Sequence, residues 1–315
     1  MQTDAPRDRR PVRALALYLL AVFVGGALLA PWLYRGVQAL AESVPALESV
    51  ARMPFARYVN RALMLTALIG LPWFIRGAGI RGWRDAGVPA GGIRWKAFAA
   101  SFALGFVSLA AVCVIALAAG GRTLKPRGAG DLAGEFLGVL ATALIVAVIE
   151  ELLFRGAIYG GLRRAMRWPA ALALSSAVYA IVHFMGRPEN PPTVDWLSGL
   201  RVLPTMLAGM TALHTLVPAF LSLTLAGVIL GLAYQWTGDL SASVGIHAGW
   251  IFWLKFYGFA TASVPGADEW FWGTRKLVDG WLAFVAIVVV LTAIVMAKRR
   301  MEGRMKVGAN EGRGG

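Results

Sequence analysis

The chain has 315 residues, 58% of them hydrophobic and only 15% charged, with a mean hydropathy of +0.63. A soluble domain of this size cannot hide that much apolar surface, so composition excludes a water-soluble globular protein and specifies an all-α polytopic membrane protein. The net charge of +14 lies in cations gathered between apolar runs, with no basic face carrying interleaved aromatics; this points to topology and a lipid bilayer, and not to a nucleic-acid partner.

About eight segments approach the ~20 residues needed to cross the hydrocarbon. The first, 14–34, follows Arg7, Arg9, Arg10 and Arg13; it is long and more spans follow, so it reads as a retained span and not a cleaved signal. The second, 60–75, is short and begins near Arg61. The third, 97–119, holds Cys113, the only cysteine, which excludes an intrachain disulfide and reads as a packing residue. The fourth is 136–162 and the fifth 168–185, followed by an irregular Gly/Pro-bearing loop over 186–204. The apolar stretch 203–215 is flanked by prolines and reads as interfacial or re-entrant, with His214 in an interfacial or structural role. The sixth is 216–236. The seventh, 240–257, carries Trp250, Trp253, Phe256 and Tyr257 as packing or interface anchors. The eighth, 279–297, follows an aromatic belt at Trp270 and Trp272 and leads into a basic tail. Three regions result: 1–128 with the first three spans, 129–260 with spans four to seven, and 261–315 with the last span and tail.

Cations orient the spans. The N-terminal arm, the loop with Arg76, Arg81, Arg84, Arg94 and Lys96, the loop with Arg163, Arg164 and Arg167, and the tail with Lys298, Arg299, Arg300, Arg304 and Lys306 fall on one side when the span count is even. Both termini are therefore expected in the cytoplasm, consistent with a prokaryotic inner membrane. Arg122, Lys125 and Arg127, offset by Asp131 and Glu135, fit this rule least well.

Chemistry enters at Glu150-Glu151-Leu152-Leu153-Phe154-Arg155-Gly156, after an uncharged apolar run, and two later spans carry His183 and His247. Ionisable groups at membrane depth are costly and mark functional sites. If the fourth span continues to Arg163 and Arg164, Glu150 lies ~13 residues, or ~20 Å, from that end. His183 lies ~15 residues, or ~22 Å, beyond Trp168, and His247 ~11 residues, or ~16 Å, beyond Trp236. The three groups then share a depth, in a polar site recessed from the cytoplasmic side. Glu151 and Arg155 at i,i+4 form a favourable ion pair, which makes them structural. Glu150 points ~100° away and is available; a carboxylate in a low-dielectric pocket suits general-base work. His183 shares or polarises the water, and His247 serves a developing oxyanion. One carboxylate and two histidines also make a three-ligand zinc set, Glu150, His183 and His247, with an open position. Taken singly, each histidine is a structural hydrogen bonder and Glu151–Arg155 a structural pair.

This constellation resembles the CPBP family of intramembrane proteases, which includes the type II CAAX prenyl endopeptidases. Glu150, Glu151 and Arg155 match its EExxxR motif, Tyr179 and His183 its aromatic-xxx-His motif with Tyr for Phe, and His247 the first half of its His-xxx-Asn motif, with Ile251 where the family has Asn. The resemblance covers roughly 130–257. It implies an endopeptidase acting on a peptide or protein substrate in the membrane, by a metallo- or glutamate-type mechanism. Glu150 with a histidine would activate water and His247 would stabilise the oxyanion, with Glu151, Arg155 and Tyr179 supporting. A prenylated C-terminal tail, a bacteriocin leader and a membrane sorting tail are all compatible substrates. The alternative is a family member without catalysis, acting in binding or bacteriocin immunity.

Overall fold

The computed structural model describes residues 9–184, 190–206 and 213–311. It is 78% helical, so the protein is an all-α polytopic membrane protein. Among the described residues, six helices are long and apolar enough to cross a membrane: α1 (Arg10–Ala41), α2 (Phe55–Gly77), α3 (Trp95–Ala118), α4 (Ala129–Ala165), the part of α7 (Leu213–Thr237) from Leu216 onward, and the first part of α9 (Trp281–Glu311). The fifth and seventh expected spans are also helical, as α5 (Trp168–Phe184) and α8 (Ser241–Ala260). At 17 residues α5 is ~25 Å long against a ~30 Å hydrocarbon core. α8 turns Ser241, Ser243 and His247 inward, with Val244 to Phe252 all buried, and leaves Lys255 exposed. Among the described residues, six of the eight expected spans thus have the length and hydropathy of a membrane span. The irregular loop expected over 186–204 is also partly helical, since α6 (Ser198–Met206) begins within it. The expected interfacial stretch is described only as far as Met206 and from Leu213, and the His214 side chain lies outside the described residues.

Packing divides the chain into two compact units that interleave along the sequence: Met1–Ala90 with Leu152–Leu216, and Gly91–Glu151 with Val217–Gly315. In the first, α1 packs on α2 and α6 around Ala30, Phe55, Tyr58, Val59, Val202 and Met206. Tyr18 on α1 stacks on Phe74 and donates to the Ala67 carbonyl. Asp195 receives a hydrogen bond from Arg201, which holds its carboxyl below the usual range and anchors the start of α6.

In the second unit α3, α7, α8 and α9 share a core that includes Cys113, Ile229, Leu230, Ile246, Trp250 and Ile287. The helix–helix contact that matters most is α3 against α8. A Cβ at Gly245 would lie 2.2 Å from Ser101 Oγ and 2.5 Å from the Phe98 carbonyl, and one at Gly249 would lie 2.5 Å from Phe106 N. The two glycines are one turn apart and form a small-xxx-small face that lets the backbones touch. His247 is two residues from each, about 200° round the helix, so seating that face on α3 turns the imidazole toward α4, on which α8 also packs.

A two-stranded antiparallel ribbon, absent from the expected all-helical pattern, joins β1 (Arg122–Leu124) to β2 (Thr261–Ser263). It explains the three cations that fit the charge rule least well. Arg122 is buried, donates to Thr261 and Ser263, and lies 4.7 Å over the Tyr257 ring. Lys125 Nζ donates to the Gly258 carbonyl at 2.8 Å, and Arg127 lies over Phe259. Desolvation, then the charges of Arg275, Arg127 and Arg122, pull the Lys125 ammonium below its ordinary value. All three lie at the C-terminal end of α8, where the helix dipole favours positive charge, and Lys125 bonds a carbonyl of its last turn.

Candidate active site

Glu150 and Glu151 end the α-helical part of α4, and His247 faces them from the middle of α8. Glu151 is completely buried and His247 is 3% exposed. His247 Nδ1 lies 2.9 Å from Glu151 Oε1. A carboxylate accepts, so Nδ1 carries the proton, and the ring is held in one orientation. The other ring nitrogen, Nε2, then looks at Glu150 Oε2 across 3.7 Å, too long for a hydrogen bond. Two carboxylates from consecutive positions thus address the two nitrogens of one imidazole. The residue spacing pairs Glu151 with Arg155; in the structure Glu151 lies against His247. Glu150, with a side chain one quarter exposed, is the accessible member.

The position that departs from the family pattern, Ile251, is buried one turn after His247. Trp250 does not stand in for the missing amide: its indole Nε1 donates to Ser108 Oγ on α3 at 3.0 Å. Asn190 is committed as well, accepting from the Ala56 backbone N–H.

Beyond Glu151, in the other unit, α4 widens. Residues Leu152–Tyr159 form a π-helix before α-helical geometry resumes at Gly160. Such i→i+5 segments are frequent at functional sites, though α1 has one too at Ala21–Gly25, and they change the angular offsets that an α-helix would give. Nothing in the residue spacing announces this one. The widened turn presents Phe154 and Arg155 to α5. The Arg155 guanidinium, 3% exposed, lies 4.7 Å over the Tyr179 ring, and Phe154 meets Tyr179 edge-on at 5.0 Å. His183 follows Tyr179 by one turn, and its Nδ1 lies 2.8 Å from the Tyr179 carbonyl. A carbonyl only accepts, so Nδ1 is protonated and Nε2 carries the lone pair that a base or a ligand needs. Helix α4 continues past Arg155 to Ala165, so the acidic pair does not sit at a helix end.

The expected residues thus fall into two groups: Glu150, Glu151 and His247 in one unit, and Arg155, Tyr179 and His183 in the other. Two features escaped the sequence reading. Gly245 and Gly249, which aim His247, were legible as a small-xxx-small pair bracketing the histidine. The Glu151–His247 bond needed the tertiary structure. Glu150 Oε2 and His247 Nε2, 3.7 Å apart, are spaced for a shared ion at ~2.0–2.2 Å from each. Among the described residues, however, no three His, Cys, Asp or Glu side chains gather to hold a metal, so no step below runs through one.

Residues 132–253 match the model of a family described as type II CAAX prenyl endopeptidase Rce1-like. The match takes in Glu150, Glu151, Arg155, Tyr179, His183 and His247. No curated protein and no solved structure matches the chain.

Proposed function

We propose that this chain, whose residues 132–253 match the type II CAAX prenyl endopeptidase Rce1-like family model, is an intramembrane endopeptidase in which Glu150 activates water. The observation that carries this reading is the pair of carboxylates on one buried imidazole. An oxygen ~2.8 Å from both Glu150 Oε2 and His247 Nε2 closes a triangle on their 3.7 Å separation, the geometry that a shared water requires. Glu150 takes a proton from that water as its oxygen attacks the scissile carbonyl, and the proton passes to the leaving amine. His247, with Nδ1 held by Glu151, serves the oxyanion from Nε2 when the ring carries both protons. His183 is assigned to the reaction by its motif and its Nε2 lone pair, and Arg155 and Tyr179 to its support. The substrate is a peptide segment in the membrane or a membrane-associated C-terminal tail.

The test is a digest of membrane peptides by the purified chain, read by mass spectrometry. Wild type should give fragment pairs that sum to substrate plus one water. His247→Ala should lose ~10²–10³ in rate, the usual effect of removing one oxyanion contact. His183→Ala should also abolish cleavage. Ile251→Asn should leave the rate unchanged or raise it, by restoring an amide donor one turn from His247. Loss on chelation with recovery on zinc would assign the metallo form; activity that survives chelation assigns the glutamate form.

A second reading, a binding or immunity protein without catalysis, draws on Ile251, buried and unable to donate. A folded wild type that cleaves no peptide would favour it.

We also propose that both termini are cytoplasmic, from the clustering of cations in alternate loops and the tail. Reporter fusions after Lys96, Arg167 and Arg304 should read cytoplasm, and fusions at Asp195 and Asp268 the opposite side. The Asp195 fusion decides whether the short α5 crosses; a cytoplasmic signal there would place both of its ends on one face.

A further inference from the structure

Away from the acidic pair, Arg10 at the start of α1, Arg76 in the last turn of α2 and Arg81 in the following loop line a cleft of about 490 Å³ with Gly77, Gly79 and Ile80. The three cations come from two chain segments, the start of α1 and the stretch 76–81, and no acid is among the described lining residues. The neighbouring carboxylate, Asp85, is turned elsewhere: it accepts from the Arg81 backbone N–H and faces Arg164 at 3.8 Å. The surface leading into the cleft is apolar. Leu17 and Leu20 on α1 and Leu68, Ile69 and Trp73 on α2 are exposed, and Trp73 sits one turn before Arg76. Trp83, just beyond Arg81, is exposed too, and tryptophans in such places mark the head-group level of a bilayer.

A basic cleft at one end of an apolar helix face fits an occupant with an anionic head and an apolar body. We propose that this cleft binds the phosphate-bearing head group of an anionic phospholipid, with its chains along the exposed faces of α1 and α2. Guanidinium forks match phosphate oxygens in geometry as well as charge. Free phosphate shares the head-group chemistry but makes no use of the apolar approach.

The test uses the full chain in a neutral detergent, with bound lipid counted by native mass spectrometry during titration with phosphatidylglycerol, phosphatidylcholine or inorganic phosphate. Phosphatidylglycerol should saturate at one molecule per chain, phosphatidylcholine should not, and millimolar phosphate should not displace the lipid. At ~1 kcal/mol per cation, about fivefold each, Arg76→Gln with Arg81→Gln should weaken binding about 25-fold. Arg76→Lys with Arg81→Lys should keep most of it and shows that the segment still folds. Arg299→Gln with Arg300→Gln, an equal charge change in the tail, should leave it nearly unchanged. Equal loss in the tail variant, equal binding of phosphatidylcholine, or displacement by phosphate would overturn the assignment.

Discussion

Glu150→Gln is expected to abolish peptide hydrolysis, a loss of ~10²–10⁴-fold or more, in a protein that still folds. The amide matches the carboxylate in volume, so packing is kept, but it cannot take a proton from water. The structure explains why folding should survive. The direct hydrogen bond to His247 belongs to Glu151, at 2.9 Å, while Glu150 stands 3.7 Å away with a quarter of its side chain exposed. Glu151→Gln should behave differently and lower folded yield together with rate, because it removes the charge behind a buried imidazole. Cleavage rates beside melting temperature and monodisperse yield separate the two outcomes. A Glu150→Gln protein with wild-type turnover would remove the catalytic assignment.

The second large effect is expected at a position with no chemistry of its own. Gly249→Ala places a Cβ 2.5 Å from Phe106 N and 2.7 Å from the Phe102 carbonyl, both backbone atoms that cannot swing aside. Overpacking of this kind costs ~1–3 kcal/mol or more. The strain should also shift α8 against α3, and a misplacement of ~1 Å in a catalytic group can cost ~10²-fold in rate. Gly245→Ala should do the same, against Ser101 and Phe98. Gly138→Ala on α4 is the control: nothing lies within 4 Å of its Cβ, so it should be neutral or slightly stabilising. If Gly249→Ala kept wild-type melting and rate, close packing of α3 on α8 would not be what aims His247.

Much of this was legible in the residues, and the gaps have physical causes. Hydropathy located every long helix because an apolar run near 20 residues has few other uses. The expected span at 240–257 is the helix α8, whose middle is buried against other helices. The acidic pair, His183 and His247 stood out because charge inside an apolar run is expensive. What spacing could not supply was angle. The i,i+4 relation of Glu151 and Arg155 presumed an α-helix, and the turn between them is a π-helix. The ribbon pairing Arg122 with Ser263 joins residues 141 apart in the sequence, so no local pattern signals it. Nor does a count of cations show which of them bond within the protein, as Arg122 and Lys125 do.

The most direct test of the central claim, that Glu150 and His247 act as one hydrolytic unit, is a double-mutant cycle on peptide cleavage. Glu150→Gln, His247→Ala and the double variant are compared in single-turnover rate, each confirmed folded. Groups that work as a unit are strongly non-additive, so the double variant should be no slower than the worse single variant. Losses that multiply, or a single variant that retains the wild-type rate, would contradict the account.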